Sequence, residues 1–276
     1  MRTSRDERVT GQFDQRSAWW DRIYRQDSLE ARILRRRQQV ALTWVEQLSL
    51  PKGSRVLEIG CGAGGTTVQL AKRGHLVYAL DRSQAMLRLT QEHALTSGVR
   101  AVIAPILGDT HRLMFPNGAF DLVIALGVLS WLQDPDTAIV EMARVTRPGG
   151  HVLVTSLNSL DVSRVLDPRR NPLSWPVKQT LGFGASAFGR PLSHQERPTR
   201  QPAWSVRRRL RHSGLTPIRH TTVGFGPFTF LGRTLLSANR SVRADEALQR
   251  RADRDSKLLR SAGRLYLLLA HKPDRA

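Results

Sequence analysis

SRVLEIGCGAGG, from Ser54 to Gly65, is the stretch whose reading decides the fold. Val56, Leu57 and Ile59 make a short apolar run that stops at Gly60. Gly60, Gly62 and Gly65 follow the G-x-G-x-x-G spacing of a strand-to-helix turn that brings bare backbone up to a nucleotide. The single cysteine, Cys61, lies between the first two glycines. A diphosphate cradle, a reactive thiol and a loop shaped for another nucleotide are all compatible with the glycines alone. Glu58 separates them. A dinucleotide site has an apolar strand running into its first glycine, and a carboxylate at the penultimate position repels a diphosphate. The pattern E-x-G-x-G-x-G from Glu58 to Gly64 suits instead a ligand with a cationic amino group, held at the carboxyl ends of the strands.

Working outward, RVLEIG reads as a first strand, and Gly65–Lys72 opens a helix. HLVYALD is a second strand, and Ser83 caps a helix running to about Thr96. VRAVIAPILGD contains a third strand and AFDLVIALG is a fourth. DPDTAIVEMARVT is a helix starting at Asp134–Pro135, and a Pro-Gly-Gly turn precedes the fifth strand, GGHVLVTSL. Strand–helix alternation of this kind predicts a parallel sheet covered on both faces. Upstream, residues 12–49 read as helix, with Trp20, Ile23, Tyr24, Val40, Leu42, Trp44, Val45 and Leu48 as apolar positions, closed by SLPKG. Beyond Asn158 the pattern loosens. Six prolines fall within residues 158–202, a segment that reads as an inserted lid. Helical spacing returns at Trp204–His212, GLTPIRHTTVGF reads as a sixth strand, Ala244–Leu259 as a helix and GRLYLLLAHKP as a seventh strand. The division expected is a helical cover over 1–53 and an α/β domain over 54–276, with basic insertions at about 158–202 and 224–261.

The 276 residues are 40% hydrophobic, enough to bury a sizeable core. Apolar stretches such as LYLLLA fall far short of the ~20 residues that span a bilayer. The N-terminal MRTSRDERVT has no apolar segment, so a soluble cytoplasmic protein is expected. One cysteine excludes an internal disulfide framework and a cysteine-based zinc site, and no metal is expected. The net charge is +20, of which residues 158–276 carry +15. Such an excess attracts nucleic acid, anionic lipid or acidic substrates. Only five of the 43 basic residues are lysine, so an arginine-biased composition explains the excess equally well.

Downstream residues agree with Glu58. Asp81 ends the second strand, where a carboxylate accepts both ribose hydroxyls. Asp109 ends the third, placed to accept from an adenine amino group, with Thr110 alongside. Together these shift the reading from NAD to S-adenosylmethionine. VLEIGCGAGG, ALDRS, LGDTHRLMFPNGAFDLVIALGVLSWLQDP and EMARVTRPGGHVLVT resemble the successive motifs of class I S-adenosylmethionine-dependent methyltransferases, of the small-molecule branch that includes ubiquinone/menaquinone methyltransferase-like (type 11) proteins. FDQRSAWWDRIY resembles that branch's cover helix, and the resemblance is weak over 158–261. It implies an α/β, Rossmann-like seven-stranded sheet whose last strand is antiparallel. It also implies S-adenosyl-L-methionine as cofactor, with Gly60, Cys61, Gly62 and Gly64 in the loop against it and Glu58 supporting its amino group. Asp81 would hold the ribose, Asp109 and Thr110 the adenine, and Arg82 and Met86 would flank the ring. Leu126 would offer its carbonyl to the methionine amine, and Tyr24 would reach that end from the cover helix.

The acceptor side is less defined. Methyl transfer from a sulfonium is an in-line displacement that depends on alignment and exclusion of water, and an oxygen acceptor also needs a base. His111 follows the adenine-binding turn. His194, His212 and His220 lie in the variable region and are weaker candidates, so no catalytic residue is assigned. Trp131, after the fourth strand, is placed to pack on a planar acceptor. Phe225, Phe228 and Phe230, beside Arg233 in VGFGPFTFLGRTLL, would cover a hydrophobic acceptor, touch an anionic membrane or pack against the sixth strand. ALGV stands where DNA amino-methyltransferases carry an Asn/Asp-Pro-Pro-aromatic tetrad, and Cys61 is misplaced for cytosine C5 chemistry. The expected activity is methyl transfer to a small hydrophobic or aromatic acceptor such as a quinone, polyketide or lipid-like molecule. RNA methylation through the basic region and non-catalytic cofactor binding are the alternatives. The oligomeric state is left open.

Overall fold

The structure, a computed structural model, describes residues 4–171, 196–254 and 259–274. Seven strands form one sheet: β1 (Arg55–Ile59), β2 (Leu76–Asp81), β3 (Ile103–Leu107), β4 (Phe120–Ala125), β5 (Thr146–Leu157), β6 (Thr216–Val223) and β7 (Leu265–His271). Their order is β3-β2-β1-β4-β5-β7-β6. The first five run parallel, and β7 runs antiparallel to both its neighbours. The sheet is therefore the α/β, Rossmann-like architecture expected, last strand antiparallel included. Strand order reverses between β1 and β4, and the crevice at such a switch point is where open α/β sheets take ligands.

Alternation along the strands sorts the core into two layers. Val56, Val77, Leu122, Ile124, Leu153, Leu267 and Leu269 pack on one face with Val45, Val68, Leu70 and Leu87. Leu57, Ile59, Val123, Val152, Val154 and Leu268 pack on the other with Ile139, Met142, Val206 and Leu210. The helices responsible are α3 (Leu29–Gln47), α4 (Gly65–Lys72) and α5 (Gln84–Thr96) on the first face, and α6 (Pro135–Val145) and α8 (Ala203–His212) on the second. Strands buried on both faces need near-continuous apolar sequence, and LYLLLA in β7 supplies it between β5 and β6.

Where the chain departs from expectation, side-chain hydrogen bonds explain why. The helix read over 12–49 is three helices: α1 (Arg5–Gln15), α2 (Ser17–Ile23) and α3. Ser4 and Glu7 form a capping box that starts α1 earlier, and Ser28 accepts from the Ala31 N–H to restart the chain as α3. The Pro-Gly-Gly turn is absorbed into β5, where pairing with β4 jumps from Phe120–Thr146 to Leu122–His151. α7 (Val162–Val165) lies in the insertion after β5. The helix expected at Ala244–Leu259 is α9, Ala238–Asp253. Its buried stripe is Ser241, Asp245, Gln249 and Ala252, so hydrophobic periodicity marks its bounds poorly and the expected start falls six residues late. That polar stripe serves the end of β6: Asp245 accepts from the Phe225 N–H, and Gln249 accepts from the Gly224 N–H and donates to the Thr222 carbonyl. His194 and most of the proline-rich lid lie outside the described residues.

Gly64, at φ +79°, is the N-cap of α4 and sets the angle at which the chain leaves β1. A Cβ there would stand 2.9 Å from the Thr90 Cα, so α5 closes the space. Gly64→Ala is expected to cost about 1–3 kcal/mol, combining left-handed strain with the clash. A thermal unfolding midpoint lowered by several degrees in circular dichroism would show it; an unchanged midpoint would contradict the packing.

Candidate functional site

The carboxyl ends of β1, β2 and β4 open into a cavity of about 890 Å³, covered by residues of α1, α2 and α3. Glycine conformation makes its floor. Gly60, Gly62 and Gly64 have φ of +64°, +55° and +79°, and a Cβ on Gly60 would stand 2.5 Å from Val128 Cγ2. A side-chain-free loop is therefore obligatory here.

Two carboxylates enter this floor. Asp81, at the end of β2, accepts from the Gly62 N–H (2.9 Å) and the Ser83 N–H (2.9 Å). Burial pushes its pKa up against those hydrogen bonds. Glu58 is 3% exposed and accepts from Thr67 Oγ1 at 2.5 Å. Burial raises its pKa to about 8, with the Thr67 hydrogen bond and the Arg37 charge only partly opposing. Arg37 projects from α3 at 8% exposure. Its Nη2 donates to the Tyr24 hydroxyl at 2.7 Å, while its buried Nε has no hydrogen-bond partner among the described residues. A Cβ on Gly127 would meet Arg37 Nη1 at 2.6 Å, so the guanidinium lies against the loop after β4. A buried acid and a buried cation thus share one end of the cavity.

Of the residues singled out by sequence, Tyr24, Glu58, Gly60, Cys61, Gly62, Asp81, Arg82, Met86, Thr110, Leu126 and Trp131 line this cavity. Gly64 lies just behind, at the start of α4. Asp109 stands at the rim, outside the lining: its Oδ1 accepts from the His111 N–H and contacts His111 Nδ1, each at 2.9 Å. Burial raises Asp109, but the His111 hydrogen bonds and the Arg82 charge outweigh it and hold the carboxyl below its usual range. His111 is not brought to the acceptor side; Asp109 and, at 3.6 Å, Asp6 hold it away from the lining. Phe228 is likewise not in the cavity. The aromatic cluster to which it was assigned divides, Phe225 entering the core and Phe230 staying half exposed beside a short ribbon pairing Thr229–Phe230 with Arg233–Thr234. His212 and His220 are outside the lining as well.

Sequence reasoning passed over five contributors. Arg37 is the first. His93 ties α5 to the loop through Ala63 O (2.7 Å) and to α2 through Asp21 (3.0 Å). Phe13 lies edge-on to Trp131 (5.2 Å between ring centres) and stacks on Trp20 (5.4 Å), forming an aromatic wall. Asp6 and Asp14 dock α1, Asp6 on Arg82 (3.2 Å) and the Gln133 N–H (3.1 Å), Asp14 on the Ser83 hydroxyl (2.5 Å). Cys61 is buried, and burial pushes its thiol well above the usual value, with Asp81 and Glu58 adding to the shift. A thiol so held is a poor nucleophile. No group of side chains suited to a metal ion and no helix long and apolar enough to cross a membrane occurs among the described residues.

The methyltransferase domain family matches residues 57–154, from β1 to β5. That match covers about a third of the chain. Its curated relatives include the ubiquinone biosynthesis O-methyltransferase of Pseudomonas putida (strain GB-1), 31% identical over 140 residues, 51% of this chain and 58% of that protein. The protein of the same name from Pseudomonas fluorescens (strain SBW25) is 27% identical over 219 residues, 76% of this chain and 83% of that one. The chain thus spans little more than half the length of the first of these relatives. Among solved structures, magnesium protoporphyrin IX methyltransferase from Synechocystis PCC 6803 with bound SAH superposes with a TM-score of 0.65 at 18% identity, covering 98% of this chain and 100% of that one. The [4+2]-cyclase SpnF does so at 0.57 and 20% identity, covering 86% and 81%. These structural likenesses concern the fold alone.

The environment of Glu58 sets a pH dependence. A carboxyl whose folded pKa is about 8 keeps its proton in the folded domain at pH values where the unfolded chain has lost it. Its contribution to stability is full below about pH 4.5 and falls as pH rises through 8. The unliganded protein should therefore lose thermal stability between pH 6 and pH 9, and Glu58→Gln should flatten that slope. Parallel melting curves for the two proteins across this range would refute the burial argument.

Proposed function

We propose that the protein transfers a methyl group from S-adenosyl-L-methionine to a small-molecule acceptor with a hydrophobic or aromatic body. The observation that carries this reading is the pairing of buried Glu58 with buried Arg37 at one end of the cavity. An amino-acid moiety has an ammonium and a carboxylate on one carbon; Arg37 offers a cation to the carboxylate, and Glu58, protonated in the empty cavity, ionises as the ammonium arrives. Cavity and cofactor fit in three further respects: the unpartnered Arg37 Nε, the glycine floor and the Asp81 oxygens, which retain lone pairs for two ribose hydroxyls. Arg82 and Met86 would flank the adenine, with Asp109 and Thr110 at its edge, and Leu126 and Tyr24 would close the methionine end.

The cofactor supplies an electrophilic methyl on a sulfonium. The chain's part is alignment and exclusion of water. Phe13, Trp20 and Trp131 form a wall able to hold a planar acceptor, and Leu157, Leu265 and Pro198 extend the lining toward β5 and β7. Because positive charge disperses in the displacement, a cavity poorly supplied with water does not oppose it. His93 is the histidine of the described lining, and both its ring nitrogens are engaged by Ala63 and Asp21, so no base is assigned. The curated relatives named as O-methyltransferases support an oxygen acceptor.

Calorimetry with S-adenosylhomocysteine tests the cofactor half. Wild-type protein should bind it and ignore NAD. Arg37→Ala and Asp81→Ala should each weaken binding by roughly 10–100-fold, the scale of a lost charge-assisted hydrogen bond. Arg37→Lys should recover part of the loss, and Cys61→Ser should stay within about threefold, since its thiol bonds only weakly at 3.6–3.8 Å. Binding of NAD in place of the adenosyl ligand would overturn the proposal.

A further inference from the structure

A second cavity, of about 370 Å³, lies where the insertion after β5 meets the segment before β7. Its lining holds four arginines, Arg164, Arg170, Arg200 and Arg264, against two carboxylates, Asp161 and Glu30. Four arginines lining so small a space repel one another, and within the described lining two carboxylates leave a surplus of two positive charges, with buried Asp167 near Arg170 just outside it. The carboxylates are also engaged. Asp161, 1% exposed, accepts from Ser163 Oγ (2.5 Å), the Arg164 N–H (3.1 Å) and Arg200 Nη1 (3.1 Å). Glu30 contacts Arg264 at 3.5 Å. Arg164 Nε is buried with no hydrogen-bond partner among the described residues. Arg200 feels the crowding: burial pushes it down to about 10, Asp161 opposes, and Arg164, Arg264 and Arg170 add to the fall.

A surplus of part-buried guanidinium groups is the chemistry of an oxyanion seat, since each fork binds carboxylate or phosphate through parallel hydrogen bonds. The position of the chamber says which molecule would bring the anion. Glu30 and Arg264 line both cavities, and Leu265, next in the chain, lines the apolar end of the larger one. We propose that this chamber seats an anionic group, a carboxylate or phosphate, carried by the methyl acceptor whose apolar or aromatic body occupies the larger cavity. The assignment of the molecule rests on the methyl-transfer reading; the anion seat itself does not.

Two measurements separate these. In the first, inorganic phosphate is titrated calorimetrically into the full chain saturated with S-adenosylhomocysteine, at constant ionic strength set with chloride. Saturable binding is expected, weakened about tenfold or more by Arg164→Gln and by Arg170→Gln, with adenosylhomocysteine affinity retained. Absence of saturable binding to the wild type, or equal binding by both variants, would overturn the seat and leave a structural ion network. Because the wild-type titration stands alone, a variant that fails to fold does not rescue the idea. In the second, labelled methyl donor is incubated with a small-molecule extract separated by anion exchange. Label should enter the retained acidic fraction, and phosphate should inhibit its entry. Label confined to the neutral fraction would overturn the assignment to the acceptor. No adenosylhomocysteine binding at all would sink the methyl-transfer reading, while phosphate added without it still judges the chamber.

Discussion

Most of the site depends on one unfavourable placement, a carboxylate buried at the end of the central strand. Glu58 has lost nearly all its water, and one threonine hydroxyl and a nearby guanidinium do not restore it fully, which is why its proton is held to about pH 8. Arg37 is the mirror of this cost, a cation on the buried stripe of α3 with an unsatisfied nitrogen. Neither residue helps the fold in isolation. Buried pairs of this kind seldom repay their desolvation. A ligand that brings the opposite charges relieves both costs at once.

The cover helices follow from that constraint. Arg37 reaches the cavity because α3 packs on the sheet face through Ala41, Leu42 and Val45. Helix α1 is held over the strand ends by polar ties, Asp6 to Arg82 and the Gln133 amide and Asp14 to Ser83, and by Phe13 against Trp20 and Trp131. Just one α1 residue, Val9, is buried among those described. An element held by a few exposed hydrogen bonds opens at less cost than one anchored by core packing.

The sheet was legible in the sequence because parallel strands buried on both faces leave near-continuous apolar runs between glycine and capping signals, and β1 to β5 carry those signals in order. The cavity floor was legible for a related reason: Glu58, the glycines and Asp81 sit at strand ends, where position along the chain nearly equals position in space. What escaped reading came from tertiary pairing. Arg37 belongs to a run of three arginines, and its only mark is a place on the stripe of Ile33, Ala41 and Trp44. Helix α9 was read with its start at Ala244 instead of Ala238, because its inner face buries polar residues that satisfy the end of β6. His111 had the right residue type in the right turn, and two neighbouring carboxylates took it elsewhere.

The basic surplus of the C-terminal half takes on a physical meaning once its partners are known. Arg209 pairs with Asp136 on α6, Arg264 with Glu30 on α3, and Arg219 lies over the Trp44 ring while donating to Gln47. In the other direction Arg32 and Arg36 of α3 reach Glu246 and Asp253 on α9. These pairs stitch the variable half to the cover and to the sheet across long sequence separations. Most are at least partly exposed, and each contributes little alone. Their number matters most for α9, whose buried inner stripe is polar. Arginine suits the task, since its fork bonds two acceptors while its stem covers apolar surface. Where the acidic partners run short, in the chamber between α7 and β7, Arg264 joins Arg164, Arg170 and Arg200 in a positive site instead of serving as a fastener alone. Charge balance within each cluster, rather than total charge, separates those two uses.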